Sequence, residues 1–249
     1  GICFILLAGG EPLLRRDVIE KAVQHKNIMF PVFTNGTMLD GEYLTLFDKS
    51  RNLIPVLSIE GNRKLTDDRR GEGVYDSLIK SMCNSGIFFG ASVTVTKENI
   101  ENVLYDDFVS ELYNNGCKLI FYVEYVPVTS TSKNIAPDDN DREYLENRLS
   151  ILRARYNNMI IIAFPGDEKA SGGCLAAGRG FFHINSHGGA EPCPFSPYSD
   201  TDLRNMPLIE ALNSPLFMKL QSKDILNSEH TGGCVLFEQE DKVKALISK

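Results

Sequence analysis

The chain has 249 residues, of which 43% are hydrophobic and 24% charged, and its formal net charge is -7. This length and apolar content predict one large or two small globular domains, and the acidic balance argues against nucleic acid or an anionic membrane as the main partner. No run of eighteen apolar residues occurs, so no membrane span is predicted. Six cysteines without an extracellular type of disulfide framework predict a reducing, cytoplasmic location.

The first stretch of chain, residues 4–15 (FILLAGGEPLLR), joins a predicted strand to a predicted helix. Its opening apolar run is typical of a strand buried on both faces, as in a parallel sheet. Gly9 and Gly10 then allow the backbone to approach a ligand closely, and Pro12 fixes φ for the first turn of a helix. Glu11 suits either a helix start or the ammonium group of a ligand.

A strand followed by a helix recurs about every thirty residues. Apolar runs separated by helical periodicity predict an α/β fold built on a partial parallel (βα) TIM-like barrel. The further strands are predicted at residues 28–33, 54–59, 88–96, 119–126 and 159–164, and helices at 75–84, 103–115 and 142–157.

Polar residues gather where these strands end, which is the face that binds ligands in such folds. A segment of mixed charge, residues 62–70, is predicted to be a loop beside them, and an arginine there is suited to clamp a ligand carboxylate. Together with Glu11, this rim fits an amino-acid moiety that also carries ribose-like hydroxyls. The other members of the rim are Thr34, Asn35, Ser58, Glu60, Thr94, Thr96, Glu124 and Tyr125.

After about residue 165 the chain becomes rich in Gly, Ser, Pro and Cys. Cys174 and Cys234 each follow a Gly-Gly pair, and Cys193 lies between two prolines. Three thiolates close in space suit an iron-sulfur cluster with one unusual ligand. A zinc site completed by His230 and three plain buried thiols are the other interpretations that the spacing leaves open.

The remaining cysteines, Cys3, Cys83 and Cys117, have no ligand-like spacing to one another. Each falls in an apolar stretch, so all three are predicted to be core residues.

The motifs FILLAGGEPLLR, TNGT, SIEG with DDRRG, and then GGC, PCPF and GGC resemble, in this order, radical SAM enzymes with a C-terminal SPASM or twitch auxiliary-cluster domain. The resemblance covers nearly the whole chain. It implies a partial barrel over residues 1–165 and a small Cys-rich α+β auxiliary-cluster domain over residues 166–249.

The resemblance also implies a binding site for S-adenosylmethionine. The GGEP motif matches the segment that receives the methionine ammonium group, and Arg70 matches the arginine that pairs with the methionine carboxylate, with Arg69 as the fallback. Ser58 and Glu60 match the strand end that reaches the ribose, although aspartate is more usual where Glu60 stands. The cofactor-binding residues implied are Gly9, Gly10, Glu11, Pro12, Thr34, Asn35, Ser58, Glu60 and Arg70.

For metal, the resemblance implies one auxiliary [4Fe–4S] cluster held by Cys174, Cys193 and Cys234. These are fewer cysteines than a full SPASM set, so a single twitch-like cluster is expected. His230 is the candidate fourth ligand, and an open iron that binds substrate is the rival.

The activity implied is reductive formation of a 5′-deoxyadenosyl radical that abstracts hydrogen from a substrate, with a peptide or protein as first candidate and flavodoxin or ferredoxin as reductant. The CxxxCxxC loop that holds the family's reducing cluster does not occur in these 249 residues. We therefore expect that this chain is a truncated form and does not cleave the cofactor by itself. No residue is identified as a general base.

Two other functions fit parts of the sequence. One is a non-catalytic scaffold that binds zinc or an iron-sulfur cluster. The other is a sugar-phosphate barrel enzyme with a zinc ribbon, which predicts a phosphate-binding Gly-rich loop after a late strand. Residues 165–167 (Pro-Gly-Asp) are a poor match to such a loop.

Overall fold

A computed structural model describes residues 1–127, 130–222, 225–228 and 233–247, and of residues 81, 84, 85, 130, 131 and 169 the backbone only. The chain forms two compact units. Unit 1 comprises Gly1–Val123 and Asn140–Ala163, and unit 2 comprises Glu124–Asp139 and Phe164–Lys249. The interpretation of the later residues as an auxiliary-cluster domain stays a prediction.

Unit 1 is built on a five-stranded sheet whose strands follow chain order. The first and second strands and the second and third strands pair in parallel, with Thr34 beside Leu57 and Ser58 beside Ser92. The predicted α/β class is confirmed. The strands are β1 (Phe30–Thr34), β2 (Leu53–Ile59), β3 (Phe89–Val95), β4 (Cys117–Glu124) and β5 (Ile160–Phe164).

Helices follow these strands and cover one face of the sheet. Their apolar residues pack with Phe89, Val93 and Ile161 in one large core, because alternate strand residues point to that face. The helices of this part of the chain are α1 (Arg16–Gln24), α2 (Gly41–Lys49), α3 (Arg63–Arg70), α4 (Val74–Ser85), α5 (Ile100–Val103), α6 (Asp106–Asn114) and α7 (Asp139–Arg155).

The predicted loop at residues 62–70 is wrong, since most of it is helix α3. The Asn62 side chain caps this helix by accepting from the Leu65 N–H, and Lys64 pairs with Asp68 one turn on. The charged residues thus stabilise a solvated helix.

The predicted burial of the first strand is also wrong. Phe4 forms a parallel bridge to Met29, just before β1, and Leu7 forms one to Val32 in β1, but the segment does not form a continuous strand. Phe4 is 61% exposed and Leu6 48% exposed. In the part of the chain that the structure describes, this segment pairs with β1 along one of its edges. Its exposed side chains show that its faces are not both covered, as those of an internal strand are.

The other face of the sheet is smaller and partly open. Ile54, Val56 and Leu119 pack there against partly buried Phe33 and Phe121. The rings of Phe33 on β1 and Phe121 on β4 meet edge to face at 5.6 Å, although two strands separate them in the sheet. The sheet therefore curves, as a partial barrel requires, and we call this concave side the inner face.

Unit 2 consists of short elements around its own core. Its hairpin pairs β6 (His183–Ile184) with β7 (Ala190–Glu191) in antiparallel register. Buried Phe217, Leu220 and Leu236 pack in this core. The helices are α8 (Leu208–Leu212), α9 (Pro215–Ser222), α10 (Val235–Glu238) and α11 (Glu240–Ile247).

Among the described helices, none combines the length and apolar character that crossing a bilayer takes. Of the three cysteines predicted to be core residues, only Cys117 is buried, whereas Cys3 and Cys83 are exposed. The Cys83 thiol lies 3.0 Å from the Asn115 side-chain oxygen, on the open side of its helix. The sequence predicts Cys83 on the apolar side of this helix next to Met82, but only Met82 is buried.

Candidate functional site

Glu11 is the centre of a polar cluster where β1 ends. Its Oε1 accepts hydrogen bonds from the Leu13 N–H at 3.0 Å and the Thr34 hydroxyl at 2.8 Å, and its Oε2 accepts from the Asn35 N–H at 2.9 Å. Pro12 begins a 3₁₀ turn, Pro12–Leu14, for which Glu11 is the cap. The structure thus brings together three of the residues predicted to bind the cofactor.

The backbone next to Glu11 is open. Gly9 has φ +131°, in the region that favours glycine, and a side-chain carbon at Gly9 or Gly10 would meet no atom within 4 Å. Among the described residues, no other side chain therefore packs closely on this backbone where a Cβ would stand. A carboxylate fixed by three donors beside bare backbone is suited to hold an ammonium group.

Glu60 forms a second cluster, where β2 ends. Its side chain is 9% exposed and lies 2.6 Å from Arg69 Nη1 and 2.6 Å from Arg70 Nη2. Arg70 Nε also donates to the same oxygen of Glu60 at 3.0 Å. The predicted ribose-binding carboxylate and the predicted carboxylate-binding arginine are therefore bonded to each other here.

One Glu60 carboxylate faces two guanidinium groups, so the cluster keeps a net positive charge. Arg69 remains 66% exposed and Arg70 24% exposed. Because each guanidinium carries five N–H donors, both arginines have N–H groups beyond the bonds to Glu60. This arrangement suits a ligand carboxylate, which stays our prediction for Arg70.

Asn99 and Thr66 hold the loop that carries Glu60. The buried Asn99 amide donates to Thr94 O at 2.8 Å and Glu60 O at 3.1 Å, and its oxygen accepts from the Thr96 N–H at 2.8 Å. The Thr66 hydroxyl accepts from the Glu60 N–H at 3.1 Å. Sequence reasoning missed both residues, although an asparagine just after a strand end is a usual loop-fixing residue.

The inner face becomes polar toward these strand ends. Ser58 follows Ile54 and Val56 on that face, and its register partner is Ser92. Thr94 comes two residues after Ser92 on the same side of β3. The predicted ribose-binding Ser58 thus belongs to a row of hydroxyl groups.

The three predicted cluster cysteines share the core of unit 2. Cys174 is 9% exposed, Cys193 2% and Cys234 8%. The thiols of Cys193 and Cys234 lie within hydrogen-bonding reach of each other. His230, the predicted fourth ligand, lies outside the described residues.

The Cys193 sulfur accepts a hydrogen bond from the Phe195 N–H at 3.5 Å. The Ala176 N–H acts to lower the pKa of Cys174, and the Phe237 and Leu236 N–H groups act to lower that of Cys234. Hydrogen bonds to sulfur stabilise thiolate and are a feature of iron-sulfur sites.

The environments of the thiols differ. Burial raises the pKa of Cys174 to about 12. The hydrogen bond between Cys193 and Cys234 raises the pKa of Cys193, with burial acting in the same direction, and lowers the pKa of Cys234. The Phe237 and Leu236 N–H groups further favour the Cys234 thiolate. Cys234 is thus the one of these three thiols whose pKa is lowered, whereas the pKa values of Cys174 and Cys193 are raised.

Among the described residues, no three His, Cys, Asp or Glu side chains converge closely enough to hold a single ion. Buried cysteine sulfurs are the donors that iron-sulfur clusters use, and the cluster at Cys174, Cys193 and Cys234 stays a prediction.

Gly173, next to Cys174, is expected to be sensitive to substitution. It has φ +101°, and a side-chain carbon there would lie 2.4 Å from Asn227 Oδ1. We expect Gly173→Ala to lower the free energy of unfolding by about 2–4 kcal/mol, through backbone strain and this clash. Gly172, with φ +79° and no atom within 4 Å, is the matched control, because Gly172→Ala adds strain alone, about 1 kcal/mol. Equal losses of unfolding free energy in the two variants, measured by urea unfolding, would contradict the close approach of Gly173 to Asn227.

No family model matches this chain. Two curated proteins of Methanosarcina barkeri (strain Fusaro / DSM 804) are similar in sequence. The first is named Fe-coproporphyrin III synthase and is 30% identical over 105 residues, which are 40% of this chain and 26% of that protein. The second is named AdoMet-dependent heme synthase and is 25% identical over 254 residues, covering 90% of this chain and 72% of that protein.

Among solved structures, the chain is similar to Streptococcus suis SuiB bound to S-adenosylmethionine. The TM-score is 0.70 at 20% identity, and the match covers 88% of this chain and 56% of SuiB. The chain thus spans just over half of SuiB and about a quarter of the first curated relative.

The chain is a relative of the radical SAM enzymes. The resemblance that the motifs indicate is therefore confirmed, and at 20% identity the likeness to SuiB is one of fold. In this radical SAM relative, the Glu11 and Glu60 clusters follow neighbouring parallel strands, and the roles of their residues stay predictions.

Proposed function

We propose that this chain supplies the S-adenosylmethionine pocket and an auxiliary [4Fe–4S] cluster of a radical SAM enzyme. The observation that carries the proposal is the Glu11 carboxylate, held by Thr34 and Asn35 beside the open backbone of Gly9 and Gly10. The names of the relatives support the cofactor, since one is AdoMet-dependent and SuiB binds S-adenosylmethionine.

Bound S-adenosylmethionine supplies hydrogen-atom abstraction after one-electron reduction. The residues of this chain bind and orient it. Glu11 holds the methionine ammonium group, and Arg70, oriented by Glu60, offers N–H groups to the methionine carboxylate. Ser58 is placed for the ribose hydroxyls. Two charged contacts of opposite sign fix the amino-acid end of the cofactor and thereby the direction of its reactive end.

For the substrate we propose a peptide or protein segment. The inner face carries Phe33, Phe121 and Ile162 below a row of hydroxyl groups, and SuiB is also known in complex with its precursor peptide SuiA. Of the described strand residues on that face, none is Lys or Arg; the one strand lysine, Lys118, lies 4.9 Å from the Tyr113 ring on the helical side.

A tetrapyrrole is the second candidate, because both curated relatives are named for porphyrin products. Coproporphyrin carries four carboxylates, and the inner face of unit 1 has no cation among its described strand residues to pair with them. We therefore expect no saturable change in the absorption spectrum of coproporphyrin on titration with this chain. A saturable change in this spectrum at micromolar protein would favour a tetrapyrrole over a peptide as the substrate.

The cofactor proposal is tested by calorimetric titration with S-adenosylmethionine. We expect one binding site per wild-type chain. In Thr34→Val we expect binding to be about tenfold weaker, because the isosteric valine removes a hydrogen bond to the charged Glu11 that is worth about 1.5 kcal/mol. Thr45→Val is the control, because the Thr45 hydroxyl bonds only locally, to Gly41 O at 2.7 Å. No binding by the wild-type chain would favour the scaffold function instead.

A further inference from the structure

The sequence leaves the fourth ligand of the proposed cluster open. A buried carboxylate next to Cys174 is a candidate that the spacing of cysteines and histidines does not indicate. Glu168 belongs to the 3₁₀ turn Gly166–Ser171 and is 7% exposed. It lies in unit 2, as the three cysteines do.

Backbone bonds fix Glu168 close to Cys174. Its N–H donates to Pro165 O at 2.8 Å, and its carbonyl accepts from the Gly173 N–H at 3.1 Å. Its Oε1 accepts from the Leu175 N–H at 3.1 Å. Glu168 is thus tied to the residues on both sides of Cys174, by its backbone carbonyl to Gly173 and by its carboxylate to Leu175.

The carboxylate also faces the thiols. Its Oε1 is hydrogen-bonded to the residue that follows Cys174, and its negative charge acts to raise the pKa of both Cys174 and Cys234. A metal-bound cysteine is a thiolate and donates no hydrogen bond. Beside a ligating Cys174, a buried carboxylate would then meet a like charge, which is costly unless a cation lies between the two groups.

We propose that Glu168 is the fourth protein ligand of the auxiliary cluster, binding the iron that the three cysteines leave without a thiolate. This inference rests on the proposed function, since it requires an iron-sulfur cluster at Cys174, Cys193 and Cys234. Iron-sulfur clusters select soft thiolate ligands, so a hard carboxylate oxygen is expected to hold the fourth iron less tightly than a thiolate would.

The test uses the full chain, reconstituted anaerobically with iron and sulfide and then treated briefly with ferricyanide. Loss of one iron follows [4Fe–4S]²⁺ → [3Fe–4S]⁺ + Fe²⁺ + e⁻, with the electron taken by ferricyanide. The product is counted by its EPR signal and by released Fe²⁺. We expect Glu168→Ala to lose about one of four irons fastest, wild type more slowly, and Glu168→Cys most slowly, because thiolate replaces carboxylate at that iron.

Glu191→Gln is the matched control. Glu191 is also a buried carboxylate, two residues before Cys193, but it binds His183 at 2.7 Å and Asn185 at 2.6 Å. This variant is expected to lose iron at the wild-type rate. Glu168→Gln keeps an oxygen for the Leu175 N–H, so a faster loss of iron in this variant would come from altered ligation and not from the lost hydrogen bond. Thermal unfolding checks that each variant is folded.

Equal rates of iron loss in wild type, Glu168→Ala and Glu168→Cys would overturn the assignment. Faster loss only in His230→Asn would move the fourth ligand to His230 and overturn it too. These outcomes leave the cluster itself in place, whereas a wild-type chain that takes up no iron would refute the proposed cluster before Glu168 is considered.

Discussion

Replacing Cys234 by alanine is expected to reduce the iron taken up on anaerobic reconstitution at least fivefold, from about four irons per chain. Cys234 is the one of the three proposed ligands whose pKa is lowered, by its hydrogen bond with Cys193 and by amide donors, so its thiolate forms most readily. Iron and acid-labile sulfide per chain are measured after gel filtration.

The control for this variant is Cys83→Ala. Cys83 is exposed and bonded to Asn115, in unit 1, so its removal is expected to leave the iron content unchanged. Full iron content in folded Cys234→Ala would show that this thiol is not a ligand. Equal losses in both variants would mean that iron binds adventitiously to thiols.

The second large effect is expected in Glu11→Gln. The amide keeps an oxygen for Thr34 and the Asn35 N–H, yet it loses the charge that pairs with the methionine ammonium group. A hydrogen bond between charged groups is worth about 2–3 kcal/mol, so S-adenosylmethionine should bind roughly 30- to 150-fold more weakly in calorimetric titration.

Glu42→Gln is the matched control, because Glu42 is an exposed carboxylate on α2 that pairs with Arg16 at 2.7 Å. It should bind S-adenosylmethionine as wild type does. Unchanged affinity in Glu11→Gln would remove Glu11 from the site and with it the observation on which the proposed function rests.

Much of unit 1 follows from the sequence by simple physical rules. The apolar runs of β2 and β5 lie within one residue of the predicted bounds, because strands buried by helices consist of little else than apolar residues. The prediction failed at residues 4–7, where the same apolar signal occurs at an exposed edge. It failed also at residues 62–70, because charge alone does not distinguish a loop from a solvated helix capped by Asn62.

The candidate site was predicted in part. Motif order identified Glu11, Thr34 and Asn35, and the structure brings them together. Glu60 and Arg70 were expected on different parts of one ligand, and their mutual ion pair depends on α3, which was not predicted. Asn99 could have been found from its place after a strand end, but Glu168 carries no sequence signal of its own, since one buried carboxylate becomes informative only when its neighbours are known.

The proposed function requires that Cys174, Cys193 and Cys234 hold an iron-sulfur cluster in a protein that binds S-adenosylmethionine. This is tested by the metal content of the wild-type chain after anaerobic reconstitution, with EPR of the reduced sample. We expect about four irons and four sulfides per chain and the signal of a reduced [4Fe–4S] cluster. One zinc per chain, with no sulfide and no iron signal, would contradict it.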